Sequence, residues 1–265
     1  MDLRCRREER IGEINYNRYG TEMKIIEYVR KDNIIVEFQD EYKYQTKTTY
    51  QSFKNGTIKN PYDKIAFGVG YIGEGQYQAS NNRKIYNTWY GMFIRCYDPY
   101  NINYKNITYM NCTVDERFHC LQDFGKWFDD NYYEIPNEIM CLDKDILKPG
   151  NHVYGPDTCI IVPQTINSLI SIKYKNNNSY PGVCYHKNHN KYMASCSVYE
   201  NNKKSIVTLG YFINPEDAFI AYKKFKERYI KIVAERYKNT IPEKLYNALY
   251  EYEIDMNNYE KGGIM

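Results

Sequence analysis

The chain has 265 residues, and 36 Lys and Arg stand against 33 Asp and Glu, a formal charge of +3. Hydrophobic residues make up 43% and Tyr alone numbers 31, which is enough apolar surface for packed cores and excludes disorder over most of the length. No apolar run approaches the roughly 20 residues of a membrane span, and the opening MDLRCRREER lacks the apolar stretch of a secretory leader. A soluble, cytoplasmic protein is expected.

The first segment, about 10–70, carries short β-type bursts. Met23 to Val29 and Ile34 to Phe38 are β-branched and alternating, and the polar link Arg30-Lys31-Asp32-Asn33 predicts a hairpin between them. A third run, Tyr42 to Tyr50, is rich in Tyr and Thr, and Phe53 to Lys59 reads as an Asn55-Gly56 turn leading into a short strand. These features predict a small all-β module of SH3-like type. Four glycines follow, at 68, 70, 73 and 75. Three of them spell Gly-x-Gly-x-x-Gly, but neither a βαβ context nor an amphipathic helix accompanies it, so tight turns are expected there instead of a nucleotide site.

The second segment, about 84–170, holds two helical stripes. Trp89, Met92, Phe93 and Cys96 form one, and Phe118, Leu121, Phe124, Trp127 and Phe128 the other. Such stripes are core faces far more often than cofactor sites. Short strands and turns follow, and Pro163 to Leu169 begins a helix. The eight cysteines include no C-x-x-C pair. Cys112, His119, Cys120, Cys141 and Cys159 are the residues a zinc site would draw on, but their spacing is not that of a zinc ribbon. Buried free thiols are expected, with no metal.

The third segment, about 178–250, predicts three strands and a helix. The strands are Gly182 to His186, the alternating Lys191 to Tyr199, and Lys204 to Phe212. Asn214-Pro215-Glu216-Asp217 then opens a helix, with Asn as N-cap, Pro in the first position and acids in the first turn. Charge is concentrated here: residues 171–211 contain six Lys and two His against one acid, Glu200. That is the footprint of a phosphate-binding face, although a solvated lysine surface would show the same count.

Gly182-Val183, Lys191-Tyr192-x-Ala194, Leu209-Gly210-Tyr211-Phe212 and Pro215-Glu216-Asp217-Ala218-x-x-Ala221-Tyr222 together resemble the AP-two/ERF (ethylene-response-factor) DNA-binding domain over about 45 residues. The resemblance implies a three-stranded antiparallel sheet laid in the major groove of double-stranded DNA, with the helix behind it. The arginines that follow the family's Gly-Val pair are Cys184 and His186 here. Its strand-two Trp is Tyr192, and its Glu and Arg further along are Ser195 and Ser197. With the lysines of the basic segment added, the residues expected to contact DNA are Lys173, Lys175, Tyr185, His186, Lys187, Lys191, Tyr192, Ser195, Ser197, Lys203 and Lys204.

Upstream, Leu142-Asp143-Lys144-Asp145-Ile146-Leu147, the run Gly150 to Pro163, and Asn167 are similar to the ββα core of HNH endonucleases. Phage-encoded proteins that join this core to an AP-two-type domain share the overall plan. In that family a His follows the Asp and acts as general base, a loop Asn supports it, and a late Asn or His shares a divalent ion with the Asp. Here the His position is Lys144, which is protonated near neutral pH. The loop Asn position falls near Tyr154, with Asn151 close by. The fold class expected is α+β: the β-module at 10–70, an HNH-like domain at 84–170 and an AP-two-like module at 178–250. The expected function is double-stranded DNA binding by a phage or mobile-element protein whose nuclease chemistry is lost. The two alternatives are an active nicking or homing endonuclease using Asp143, His152 and Asn167 with a divalent metal such as Mg, and an anti-defence inhibitor that binds a host nuclease.

Overall fold

The computed structural model describes residues 9–100, 109, 111–171, 180–200 and 203–255. In chain order the elements are β1 (Ile14–Tyr16), β2 (Glu22–Arg30), β3 (Asn33–Phe38), β4 (Gln45–Thr48), α1 (Tyr50–Lys54), α2 (Arg83–Tyr97), β5 (Thr113–Val114) and α3 (Leu121–Asn131). Then follow β6 (Met140–Asp143), β7 (Val153–Tyr154), β8 (Ile160–Pro163), α4 (Gln164–Ile170), β9 (Val183–His186), β10 (Lys191–Glu200), β11 (Lys203–Phe212), α5 (Pro215–Tyr237) and α6 (Glu243–Tyr250). The class is mixed α+β. No described helix is long and apolar enough to cross a membrane. The chain divides into two compact units, 1–130 with 152–156, and 131–151 with 157–265. The segment expected as one middle domain, 84–170, therefore contributes to both.

In the first unit β1 to β4 form an antiparallel meander in sequence order. Arg30 pairs with Asn33, so the β2–β3 hairpin turns on Lys31 and Asp32 alone and the strands run further than the four-residue link suggested. Alternation in β3 sends Ile34, Val36 and Phe38 inward, where they meet Met23, Ile25, Phe53 and Ile58. The residues around Phe53 correct one expectation. They form the short helix α1, capped by the Thr49 hydroxyl, which accepts from Ser52 N at 3.1 Å. Phe53 is buried beneath the sheet, and Gly56, at φ +63°, ends the helix where a side chain would strike the Tyr16 carbonyl.

The glycine-rich stretch is built for close packing. A Cβ on Gly70 would lie 2.6 Å from the Phe93 ring, and Gly73 adopts φ +72°. Helix α2 buries the first predicted stripe; of the second, α3 buries Leu121, Phe124 and Phe128 and leaves Trp127 half-buried, while Phe118 is buried in the 3-10 turn at 116–118, where its carbonyl accepts from the Trp89 indole at 2.8 Å. β5 pairs in parallel with β7, two residues on each side.

In the second unit β6 and β8 pair antiparallel and lead directly into α4, a ββα arrangement. β9, β10 and β11 form an antiparallel sheet with β10 central. Helix α5 serves both. Its first half places Phe219 and Tyr222 against Cys196 of β10. Its second half places Tyr229, Ile230, Val233 and Ala234 in a cluster with Ile160, Val162, Ile166 and Leu169 of the ββα arrangement and Leu245 and Leu249 of α6. Asn214 is the N-cap residue as predicted, but its amide donates to the Asp217 carboxylate (3.3 Å) and makes no bond to the first-turn backbone. Gly182 holds φ +71° at the entry to β9, and a Cβ there would fall 2.1 Å from the Tyr222 ring.

Beyond the four β10 residues that pair with β9, the Tyr229 hydroxyl serves both backbone groups of Tyr199, accepting from its N–H at 2.7 Å and donating to its C=O at 2.8 Å. Tyr229→Phe should therefore cost about 1–3 kcal/mol, the penalty for stranding buried backbone groups. Urea denaturation of the variant should show a lower midpoint with an unchanged slope; an unchanged midpoint would mean that water replaces the hydroxyl without cost.

Candidate nucleic-acid interface and the ββα unit

Alternation along β10 separates two faces. Ala194, Cys196 and Val198 are buried on the α5 side, which puts Lys191, Met193, Ser195, Ser197 and Tyr199 on the other. Cross-strand partners share a face, so the register adds His186 beside Lys191, and Cys184 and Tyr211 beside Met193. It further sets Thr208 beside Ser195, Ile206 beside Ser197, and Lys204 beside Tyr199. A bulge makes this set possible. Thr208 and Tyr211 are three residues apart and would occupy opposite faces of a regular strand. The register shift between Ala194 and Ser195 leaves Leu209 as an extra residue, next to Gly210 at φ +148°, and brings both to the outer face.

The outer face is thus ordered along its length. One end carries Lys191, His186 and the exposed Lys187 of the 3-10 turn at 187–189. The middle carries Met193, Ser195, Ser197, Thr208 and Ile206, the last 70% exposed. The far end carries Lys204 and Tyr199. Glu200 is the sole acid in the three strands. The His186, His189 and Tyr211 rings pack together, with centroids 4.3 to 5.3 Å apart. His186 Nδ1 is buried without a hydrogen-bond partner among the described residues.

Of the residues expected to contact DNA, His186, Lys191, Ser195, Ser197 and Lys204 share this outer face. Tyr185 and Tyr192 pair with each other on the side of Ala194, rings 5.3 Å apart, and the Tyr185 hydroxyl donates to the Asn190 side chain. Lys203 belongs to β11, and Lys173 and Lys175 lie outside the described residues. Met193, Ile206, Thr208 and Tyr211 were not singled out from sequence. The bulge that aligns them leaves only Gly210 as a trace.

The ββα unit holds its key residues in structural bonds. Lys144 is buried, and its Nζ donates to Asp145 Oδ2 and to the Asn151 carbonyl, both at 3.0 Å. Asn151 returns a bond from Nδ2 to the Lys144 carbonyl at 2.7 Å, closing the loop between them. Asn151, and not Tyr154, is therefore the residue that ties this loop. The Tyr154 hydroxyl accepts from Arg95 Nε in the first unit. Asp143 Oδ1 accepts from the backbone N–H of Asp145 and Ile146, each at 2.8 Å, so the carboxylate caps the turn after β6. Asn167 Nδ2 is directed at Cys141 Sγ, two residues before Asp143. His152 belongs to the other unit, its Nδ1 3.7 Å from Cys112 Sγ.

Asp143 and Asn167 are thus each engaged in a separate structural contact, which does not fit the divalent-ion centre that the HNH resemblance implies. Among the described residues no group of three or more His, Cys, Asp or Glu side chains is placed to hold a metal ion. The thiols weighed for zinc have separate partners: Cys120 lies against the Ile72 carbonyl and Cys141 against that of Val162.

Burial, with the Asp145 carboxylate adding to it, pushes the Asp143 pKa up to about 6. A carboxyl raised in the folded state binds its proton more tightly than in the unfolded chain, so its contribution to stability falls as pH rises towards 6 and stays low above. Asp143→Asn keeps an acceptor for both turn N–H groups without the buried charge. Thermal unfolding should show the variant more stable than wild type at pH 8, the gain shrinking as pH is lowered through 6 to 4. A gain that grows with acid would reverse the sign and contradict the assignment.

No family model, no curated protein and no solved structure matches this chain.

Proposed function

We propose that this chain binds double-stranded DNA through the outer face of the β9–β11 sheet, and that the ββα unit is a nuclease-like scaffold that no longer cuts. The observation that carries the reading is the charge order of that face, with lysines at both ends and uncharged side chains between. From Lys191 to Tyr199, the partner of Lys204, β10 advances eight residue steps, roughly 27 Å at 3.4 Å per residue. A two-stranded or three-stranded ribbon of that length fits along the major groove, and terminal cations then meet the phosphates. The helix behind the sheet and the ββα order upstream support descent from the AP-two-like and HNH-like plans.

The loss of cutting follows from Lys144. Its ammonium has no lone pair, and its protons are directed at Asp145 and the Asn151 carbonyl, so nothing at this position can take a proton from water. An anti-defence role, through binding a host nuclease, remains a separate reading that the same experiment distinguishes.

Phosphate contacts make affinity fall steeply with salt, by about 0.9 in log–log slope for each neutralised phosphate. With Lys187, Lys191 and Lys204 engaged, binding to a 20-bp duplex should weaken roughly fortyfold between 50 and 200 mM salt. Lys191→Ala with Lys204→Ala should flatten the slope by about 2. Gel shifts on supercoiled plasmid, deproteinised afterwards and checked for nicks, complete the test. A salt-sensitive shift without nicks is expected. Magnesium-dependent nicks would restore the nuclease reading, and absence of any shift would leave the inhibitor.

A further inference from the structure

We infer that the outer face of the β9–β11 sheet selects thymine-rich DNA by contact with the thymine 5-methyl group. This inference rests on the DNA-binding reading above and adds which bases are read.

The side chains that discriminate bases by paired hydrogen bonds are few in kind. Arg, or Lys, forks onto guanine, Asn or Gln onto adenine, and Asp or Glu accepts from cytosine. The three strands contain no Arg, Asn, Gln or Asp, and their one acid is Glu200, the last residue of β10. Their lysines sit at the ends of the face, beside His186 at one end and Tyr199 at the other, where the groove walls would meet them. Cys184 and Tyr211 flank Met193 next to the His186 end, Tyr211 packed on the His186 and His189 rings, and what remains for the groove floor is Met193, Ser195, Ser197, Ile206 and Thr208. Two are fully apolar, Thr208 carries a methyl, and the hydroxyls of Ser and Thr pair with any base. Ile206 is 70% exposed opposite Ser197, an apolar side chain with small polar neighbours and open space in front of it. The thymine methyl is the apolar group the major groove displays, and burying it against Ile206 or Met193 is the discriminating contact this composition offers. Guanine and cytosine present nothing that this central set would prefer.

Uracil isolates the contact, because it keeps every hydrogen-bonding group of thymine and lacks the methyl. Fluorescence anisotropy at one fixed salt concentration would compare 20-bp alternating A·T, A·U and G·C duplexes. Each contacted methyl is worth roughly fourfold, so with one methyl on Ile206 and one on Met193 wild type should bind A·T about fifteenfold tighter than A·U, and tighter than G·C. Ile206→Ala and Met193→Ala, both on the outer surface of the sheet, should each narrow the A·T to A·U ratio while leaving A·U affinity in place. Equal affinity for A·T and A·U, or preference for G·C, overturns the methyl contact while the DNA-binding reading stands. Binding to none of the three duplexes overturns both. The wild-type comparison needs no variant, so a misfolded variant cannot hide the answer.

Discussion

Helix α5 carries two burdens at once. Phe219 and Tyr222 in its first half fill the back of the three-stranded sheet, while Tyr229, Ile230, Val233 and Ala234 complete the core of the ββα arrangement. Neither part has another apolar layer of that extent among the described residues. A two-stranded ββ unit with a seven-residue helix, and a three-stranded sheet with one exposed face, are each too small to bury a sufficient core alone. Sharing one 23-residue helix solves both problems in a single fold. The Tyr229 clasp on Tyr199 and the fit of Gly182 under Tyr222 then fix the sheet on that helix. With its back held in this way, the sheet presents its other face to solvent as an ordered array.

That array carries lysines at its two ends and uncharged side chains between them, the order on which the proposed DNA binding rests. The ββα arrangement shows the opposite economy. Lys144, Asn151 and Asp143 spend their polar atoms on closing a loop and capping a turn. Lys144 is buried, so removing the Asp145 carboxylate or opening the Asn151 loop would leave its ammonium poorly compensated.

Much of this was legible in sequence because it is local. The 2-residue period of β10, the Asn214-Pro215 start of α5 and the stripes of α2 and α3 depend on neighbours only a few residues away. Helix α1 was missed because five residues around one apolar Phe53 carry no period. The division of the chain was missed for a longer-range reason. Residues 152–156 join the first unit through β7, whose two residues pair with β5 some forty positions earlier, and nothing in their composition marks that. The site was half legible. Lysines and small residues of β10 could be assigned to a face by counting, but Thr208 and Tyr211 reach that face through a bulge, and Lys144 became structural through a bond to Asn151 that only the closed loop displays.

The central claim is that DNA meets this one face. Lysine acetylation footprinting read by mass spectrometry, with and without a 20-bp duplex, tests it directly. The account predicts that Lys187, Lys191 and Lys204 lose reactivity on DNA binding while Lys31 and Lys47, exposed in the first unit, keep theirs. Protection of Lys31 and Lys47 with Lys187, Lys191 and Lys204 unchanged would contradict it.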